Sequence, residues 1–278
     1  MTNVSAATEL YGLIGKPVRH SLSPLMQNRA FAAAGHDAVY AAFEVHDLPG
    51  AMAGIRALGL GGASITIPYK EAVLPFLEAV EGPAAKIGAV NTVVNQDGRL
   101  VGHNTDAPAA VQALLEKTAV KGKDVLILGA GGAARAVGYG LMEQGGRIHI
   151  ANRSAEKGER LARAMGADFH PLSGIADAPC DILINSTPVG MHPETEAMPV
   201  PAEFLNKGMT VMDIIYNPVR TRLLSAAEAA GARAIDGVSM FVYQGALQFE
   251  LWTGRKAPVD LMKTVVYAAL EEHSPPAS

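Results

Sequence analysis

Short apolar runs alternate with longer amphipathic stretches from the start of the chain. "LYGLIG" reads as a strand and leads through a Pro- and Ser-rich turn into a helix through Phe31. "AVYAAFEV" is followed by a helix beginning near Asp47, and "ASITI" by one beginning near Tyr69. Such alternation predicts an α/β domain on a mostly parallel sheet. After Asn91 the rhythm changes. In "NTVVNQDGRLVGHNT", Asp97 and Gly98 separate two apolar stretches, a hairpin signal that makes the predicted sheet mixed. A helix is predicted from Asp106 to about Leu115. "KGKDVLILGAGGAARAVGYGLMEQGGRIHIANRS" then supplies strand, glycine turn, helix and second strand, with further strands at 181–185 and 210–214. The pattern predicts two α/β domains, residues 1–104 and 105–237. Helical patterns at 240–252 and 259–270 can cap either one.

Composition narrows the classes of function. The 278 residues carry 23 Lys and Arg against 27 Asp and Glu, a formal charge of −4, so the summed field offers nucleic acid no attraction. No apolar run approaches the roughly 18 residues of a membrane span. The lone Cys180 cannot form an internal disulfide, and "MTNVSAATEL" has neither a basic nor an apolar leader segment, so a cytoplasmic protein is expected. The tail "EEHSPPAS" is expected to fray, because its prolines cannot extend a helix. There is no HExxH, CxxC or other zinc-type spacing, so no metal is expected. His103, His149 and His192 are read as structural or solvent-facing, and Cys180 as a buried, inert thiol.

"VLILGAGGAARA" fits a dinucleotide fingerprint. Gly129 permits the tight turn, Gly131 leaves room for a pyrophosphate, and Ala134 lets helix and strand approach. Ala130, Gly132 and Ala133 complete the candidate phosphate turn. The helix that follows would present backbone N–H groups to the phosphates. The second strand ends in "ANRSAEK", where an NAD-selective fold usually places an acid for the ribose hydroxyls. Asn152 and Arg153 instead suit a 2′-phosphate, with Lys157 adding charge, so NADP(H) is the expected cofactor. In "DILINSTPVGM", Asn185, Ser186 and Thr187 are candidate ligand contacts at the carboxyl edge. Met191 is placed to touch a nicotinamide or simply to pack.

Polar residues also collect at element ends of the first domain. In "RHSLSPLM", Ser21 and Ser23 precede a helix with Pro24 at its first position. They are read as N-caps, as a carboxylate receiver, or as both. Lys70 follows "SITI" on the same expected edge, "AVNTVV" supplies Asn91 and Thr92, and "GHNTDAP" supplies Asn104, Thr105 and Asp106 at the domain junction. If these clusters converge, Lys70 and Asp106 make a proton-handling pair, because an adjacent carboxylate orients an ammonium. The bland alternative is a solvated Lys70 at a helix start and Asp106 as an N-cap.

Taken in order, "HSLSPLMQNRAF", "SITIPYK", "KIGAVNTVV", "GHNTDA", "GAGGAARA", "ANRS", "NSTPVGM", "MDIIYNP" and "GVSMFVYQGALQFELWTG" resemble the shikimate dehydrogenase family over nearly the whole chain. The resemblance implies an N-terminal substrate domain, a Rossmann-like NADP domain, and late helices that return to complete the first domain from residues 238–278. It implies interconversion of 3-dehydroshikimate and shikimate with NADPH, in aromatic amino acid and chorismate biosynthesis, by a monomer or homodimer. By match, Ser21 and Ser23 bind the substrate carboxylate, while Thr66, Asn91 and Gln244 bind ring hydroxyls. Lys70 and Asp106 flank the reacting oxygen. Tyr216 lies near carboxylate and nicotinamide, Gly237 belongs to the cofactor site, and Asn152 with Arg153 resembles the family's NADP-phosphate clamp.

Two departures bear on specificity. The family usually has Asn at Ser64 and commonly Gly at Pro108. A serine lacks the amide's paired donor and acceptor, and a proline fixes the backbone beside Asp106. Quinate or a related cyclic acid is therefore the alternative substrate, although the Ser21 and Ser23 pair looks more like shikimate recognition. The same serines and the "NTD" group argue against a methylene-tetrahydrofolate dehydrogenase of similar plan. A non-enzymatic NADP-binding regulator would not need Lys70 and Asp106 to cooperate.

Overall fold

The computed structural model describes residues 4–272, and the "HSPPAS" end of the expected frayed tail lies outside them. The chain divides into two compact units, one running to Thr105 and resuming with Val242–Glu271, the other comprising Asp106–Phe241.

The first unit contains β1 (Glu9–Gly15), α1 (Ser23–Ala33), β2 (Ala38–Glu44), α2 (Leu48–Ala57), β3 (Gly62–Ile65), β4 (Ala79–Val80), α3 (Pro83–Ile87), β5 (Thr92–Gln96) and β6 (Arg99–His103). The sheet order is β2-β1-β3-β5-β6-β4. β1 pairs in parallel with β2 and β3, whereas β5 runs antiparallel to β3 and β6. The hairpin turns at Asp97 (φ 52°) and Gly98 (φ 91°). Positive φ at both central residues matches the twist of the flanking strands.

The second unit follows with α4 (Asp106–Leu115), β7 (Asp124–Leu128), α5 (Gly132–Glu143), β8 (Arg147–Asn152), α6 (Ala155–Met165), β9 (Asp168–Pro171), β10 (Ile182–Asn185), β11 (Thr210–Asp213), α7 (Arg222–Ala229) and β12 (Arg233–Ile235). The long α8 (Gly237–Thr253) begins in this unit, and its later part, with α9 (Val259–Glu272), counts with the first. The sheet order β12-β11-β10-β7-β8-β9 is parallel throughout. That is the doubly wound arrangement, whose strand order reverses between β7 and β10.

Burial explains why these segments pair. On one face of the first sheet, Met52 and Ile55 of α2 meet Ile14, Ile65 and Val93. Elsewhere in the unit Tyr11 packs at 5.3 Å from Phe31 of α1 and 5.2 Å from Trp252 of α8, and Phe31 lies 5.5 Å from Phe249. Burying each such ring contributes about 1.5–3 kcal/mol. Gly245 lets α8 come close to α1, since a side chain there would collide with Met26. In the second unit, β7, β10 and β11 are buried almost throughout, as a sheet covered on both faces requires.

The helix expected near Tyr69 does not form. Single turns closed by Tyr69 N–H to the Thr66 carbonyl and Val73 N–H to the Tyr69 carbonyl, both 2.9 Å, lead to a short 3-10 segment at Leu74–Phe76. Pro68 and Pro75 bracket a stretch too short to repay helix nucleation. α1 also begins one residue earlier than expected, with Leu22 at its N-cap position and no side-chain cap. Pro108 lies in the first turn of α4, where its missing N–H has no helical partner to lose.

The hairpin sets the spacing of the residues just before β5 and just after β6. Replacing Gly98 by Ala should lower unfolding stability by about 1 kcal/mol or more, because an L side chain is strained at positive φ. Denaturant titration checks this, and an unchanged midpoint would contradict the assigned turn.

Candidate functional site

In the first unit, the edge at the carboxyl ends of β1 and β3 gathers most of the sequence-expected side chains. β5 runs the opposite way, so its beginning reaches the same edge. Backbone bonds hold the edge together: Thr66 N–H donates to the Ile14 carbonyl at 2.9 Å, Ile65 N–H to the Asn91 carbonyl at 2.8 Å, and Val90 N–H to the Lys70 carbonyl at 2.8 Å. Thr66, Lys70 and Asn91 are thus neighbours through the backbone. Lys70 lies in a tied-down turn rather than at a helix start. Tyr69 pins that turn by donating its hydroxyl to the Val45 carbonyl at 2.8 Å.

Ser21 and Ser23 stand at the start of α1, which follows β1. Their hydroxyls are 3.2 Å apart, and Ser21 Oγ also accepts the Ser23 N–H at 3.2 Å. Neither is the helix's side-chain cap, which corrects one of the expected roles and leaves two hydroxyls paired beside backbone donors. Gln244 lies on α8 one turn before Gln248, which reaches the Asn91 carbonyl at 3.1 Å. Gln27, fully buried on α1, donates to the Gly245 carbonyl at 2.9 Å and holds this part of α8 in place.

Asn91 is 2% exposed and saturates its side-chain oxygen internally, accepting the Thr92 hydroxyl and the Thr105 N–H at 2.8 Å each. Asn104 donates to the Ala89 carbonyl at 2.9 Å. Asp106 opens α4 directly after Thr105 and is also buried.

In the second unit, the glycine turn stands at the switch point. Gly129 has φ 117°, and a side chain there would meet the Ser186 hydroxyl. Apart from Gly131 and its two chain neighbours, no atom of the described residues lies within 4 Å of the position a side chain at Gly131 would take. Ala130, Gly132 and Ala133 are partly exposed around that opening, while Ala134 is buried. Asn152 ends β8 and donates to the Ser154 carbonyl at 2.9 Å; Ser154 caps α6. Arg153 and Lys157 are exposed on this segment, and neither forms an ion pair among the described residues.

The turn after β10 differs from the sequence expectation at Asn185. That residue is wholly buried and bonded inward, donating to Asp213 Oδ1 at 3.1 Å and to the Val189 carbonyl at 3.2 Å. Its oxygen accepts both the N–H and the hydroxyl of Thr187, at 3.0 and 2.7 Å. It shapes the loop rather than facing a ligand. Ser186 donates its hydroxyl to the Leu128 carbonyl at 2.5 Å, linking this loop to the glycine turn. Met191 is 37% exposed at the loop's far side. Tyr216 stacks on Phe241 with centroids 4.3 Å apart. Gly237 touches the carbonyls of Ile214 and Ile215 so closely that any side chain would collide with them.

The local sequence does not mark Asp213, Tyr40 or Phe241 as part of a site. Gln248 carried a usable signal, since it lies four residues after Gln244 on one helical face in an otherwise apolar run. His149 is buried between Asp124 at 3.2 Å and His170 at 3.1 Å, toward the amino ends of the strands. No metal-binding cluster exists among the described residues. Burial pushes the Cys180 thiol up to about 12, so it stays protonated. No helix of the described residues is long and apolar enough to cross a membrane.

A doubly wound parallel sheet with a glycine turn at its switch point, joined to a mixed α/β unit with a polar edge, defines a two-unit protein of the dinucleotide-binding class. Family models agree along the chain: the shikimate dehydrogenase substrate binding domain matches residues 13–93, shikimate / quinate 5-dehydrogenase residues 111–214, and the shikimate 5'-dehydrogenase C-terminal domain residues 237–267. The chain belongs to the shikimate dehydrogenase family. A shikimate dehydrogenase (NADP+) of Geobacillus kaustophilus is 50% identical, covering 94% of this chain and 99% of the relative. The shikimate 5-dehydrogenase of Thermus thermophilus, solved with NADP(H) and shikimate, has TM-score 0.87 and 38% identity over 95% of this chain and 100% of that one. The quinate dehydrogenase of Corynebacterium glutamicum, solved with NAD, has TM-score 0.86 and 32% identity over 94% and 99%.

Asp213 supplies a pH test of the loop network. It accepts Asn185, the Ile215 N–H at 3.1 Å and the Thr221 hydroxyl at 2.8 Å, yet burial pushes its pKa up to about 6. An unfolded Asp titrates near 4, so between these values the folded chain binds more protons, and stability falls as pH rises from about 4 to about 6. The wild type should lose on the order of 2–3 kcal/mol through this group, a decline absent from Asp213→Asn. Thermal unfolding of both proteins between about pH 4 and about pH 7 measures it; parallel curves would refute the shift.

Proposed function

We propose that the chain catalyses the reversible NADPH-dependent reduction of 3-dehydroshikimate to shikimate, a step of aromatic biosynthesis. The observation that carries this reading is the gathering of Ser21, Ser23, Thr66, Lys70 and Asn91 on one edge of the unit that matches the family's substrate-binding domain. Paired hydroxyls beside backbone donors suit a carboxylate. Amide and hydroxyl groups from Asn91, Thr66 and Gln244 suit ring hydroxyls.

The residues of the second unit fit the cofactor. The opening over Gly131 and the start of α5 suit a pyrophosphate. Arg153 and Lys157, exposed and lacking ion-pair partners among the described residues, suit a 2′-phosphate beside Asn152. Ser186, Thr187 and Met191, on the loop after β10, and Gly237, which opens α8, contribute the nicotinamide side. When bound, NADPH supplies the hydride.

Lys70 donates or positions the proton at the carbonyl oxygen on which negative charge develops, and Asp106 orients the ammonium and a substrate hydroxyl. Tyr216, held by its stack on Phe241, is the aromatic hydroxyl assigned to the substrate carboxylate by the family match. The enzyme works in the cytoplasm, a placement supported by its lone Cys180, as a monomer or homodimer. The greater identity to the NADP+-linked shikimate relative than to the quinate enzyme favours shikimate over quinate.

Oxidation of shikimate and quinate, each with NADP+ and with NAD+, tests the assignment: shikimate with NADP+ should give the highest kcat/KM, and absence of that activity would overturn it. Lys70→Ala should lower kcat by about 100-fold or more with a far smaller change in shikimate KM, as expected for an interaction made mainly in the transition state. Near wild-type kcat would remove Lys70 from the chemistry. Arg153→Ala should weaken NADP+ binding by about 10–100-fold and leave NAD+ nearly unchanged, the effect of losing one charge-assisted contact. Titration of both nucleotides is decisive, and an unaltered preference would rule out the clamp.

A further inference from the structure

One set of buried polar groups in the first unit is bonded head to tail. Tyr40 of β2 donates its hydroxyl to Ser64 Oγ at 2.6 Å, and Ser64 donates to Gln248 Oε1 at 2.8 Å. Gln248 Nε2 donates to the Asn91 carbonyl and to Thr92 Oγ1, both at 3.1 Å, and Thr92 passes its hydrogen to Asn91 Oδ1 at 2.8 Å. Every member is at most 5% exposed.

The directions are forced. A backbone carbonyl only accepts, so the amide nitrogen of Gln248 must face Asn91, which turns Oε1 toward Ser64. Ser64 must then donate, and its own oxygen takes the Tyr40 hydrogen. Burial holds the Tyr40 phenol above its ordinary range, so that donor stays protonated. Beyond Gln248, Thr92 accepts from the amide and has its hydrogen free for Asn91 Oδ1 at 2.8 Å. From the other side, the Thr105 N–H, which can only donate, meets the same Asn91 Oδ1 at 2.8 Å. The Thr105 N–H thus demands, and the hydrogen available from Thr92 supports, one orientation of the Asn91 carboxamide, with its nitrogen toward Thr105 Oγ1 at 2.8 Å.

We propose that Gln248, with Ser64 as its relay, is a positioning residue that, together with the Thr105 N–H, holds the Asn91 carboxamide in place through the Asn91 carbonyl and the Thr92 hydroxyl, and thereby tunes the pattern of ring hydroxyls the enzyme accepts. This rests on the reading that Asn91 binds the substrate ring. Gln248 acts through Asn91 and Thr92 rather than on substrate. It is not needed to dock α8, because Trp252 Nε1 donates to the Val93 carbonyl at 3.0 Å and Gln27 holds the Gly245 carbonyl at 2.9 Å. Ser64 thereby acquires a role: its short side chain fits between a phenol and an amide, accepting from one and donating to the other.

The test compares Gln248→Met, Ser64→Ala and Asn91→Ala with the wild type, reading KM for shikimate, KM for NADP+, the shikimate-to-quinate ratio of kcat/KM, and the unfolding midpoint. Gln248→Met should raise shikimate KM about tenfold, the loss of roughly one buried hydrogen bond. NADP+ KM should stay within about twofold and the substrate ratio should fall. Ser64→Ala should shift the same quantities less, and it decides the matter if Gln248→Met fails to fold. A normal substrate ratio and shikimate KM in both variants, with Asn91→Ala impaired, overturn the positioning role alone, as does an equal loss toward both ligands. A wild type inactive on shikimate, or an unimpaired Asn91→Ala, overturns the reading of the site itself and the proposal with it.

Discussion

A carboxamide buried in a protein interior must find partners for its oxygen and its amide hydrogens, and the organisation of the first unit depends on how Asn91 meets that demand. Its backbone carbonyl accepts the N–H of Ile65, its N–H donates to the His103 carbonyl at 3.1 Å, and its side-chain oxygen takes hydrogens from Thr92 and Thr105. One residue therefore joins β3, the hairpin of β5 and β6, α8 through Gln248, and the segment leading into α4. Since an unsatisfied buried polar group costs about 1–3 kcal/mol, these bonds matter chiefly as a set. Moving any one element would orphan at least one buried donor.

The second unit solves a related problem with a carboxylate. Asp213 at the end of β11 gathers Asn185, Thr221 and the Ile215 amide, and Asn185 in turn shapes the Thr187 loop. The loop after β10 then leans on the glycine turn through Ser186 and Leu128. In both units a buried polar group lies just behind the edge where parallel strands end. In the second unit the residues expected to meet the cofactor stand on a loop whose shape is set by Asn185 and Asp213, both turned inward. That division accounts for polar residues which, read singly, look like ligand contacts.

Legibility from sequence followed the range of the interaction. The Asp97-Gly98 turn, the helix from Asp106 to Leu115 and the glycine turn after β7 rest on local conformational demands, and all were readable. The short polar edge strands β9 and β12 lacked an apolar period, and α7 showed only a Thr221 cap and a narrow apolar face of Leu223, Leu224 and Ala227. The expected helix at Tyr69 had apolar spacing but too little chain between prolines. Asn185 looked like a ligand contact because an amide at a strand end is equally suited to water, ligand or a buried acid. Its partner, Asp213, lies 28 residues away.

By itself the sequence determined the two-fold alternation of strands and helices, the glycine turn, the basic residues after the second strand of that unit, and the family to which these motifs belong. These are properties of neighbouring residues, set by backbone sterics, hydrophobic period and local charge. Tertiary structure alone decided which polar groups turn inward. Ser64 and Gln248 are separated by 184 positions, and no local rule couples a serine on a strand to a glutamine on a distant helix. Their pairing arises because a closed interior excludes water, leaving each buried donor and acceptor to be satisfied by whatever the fold brings within about 3 Å.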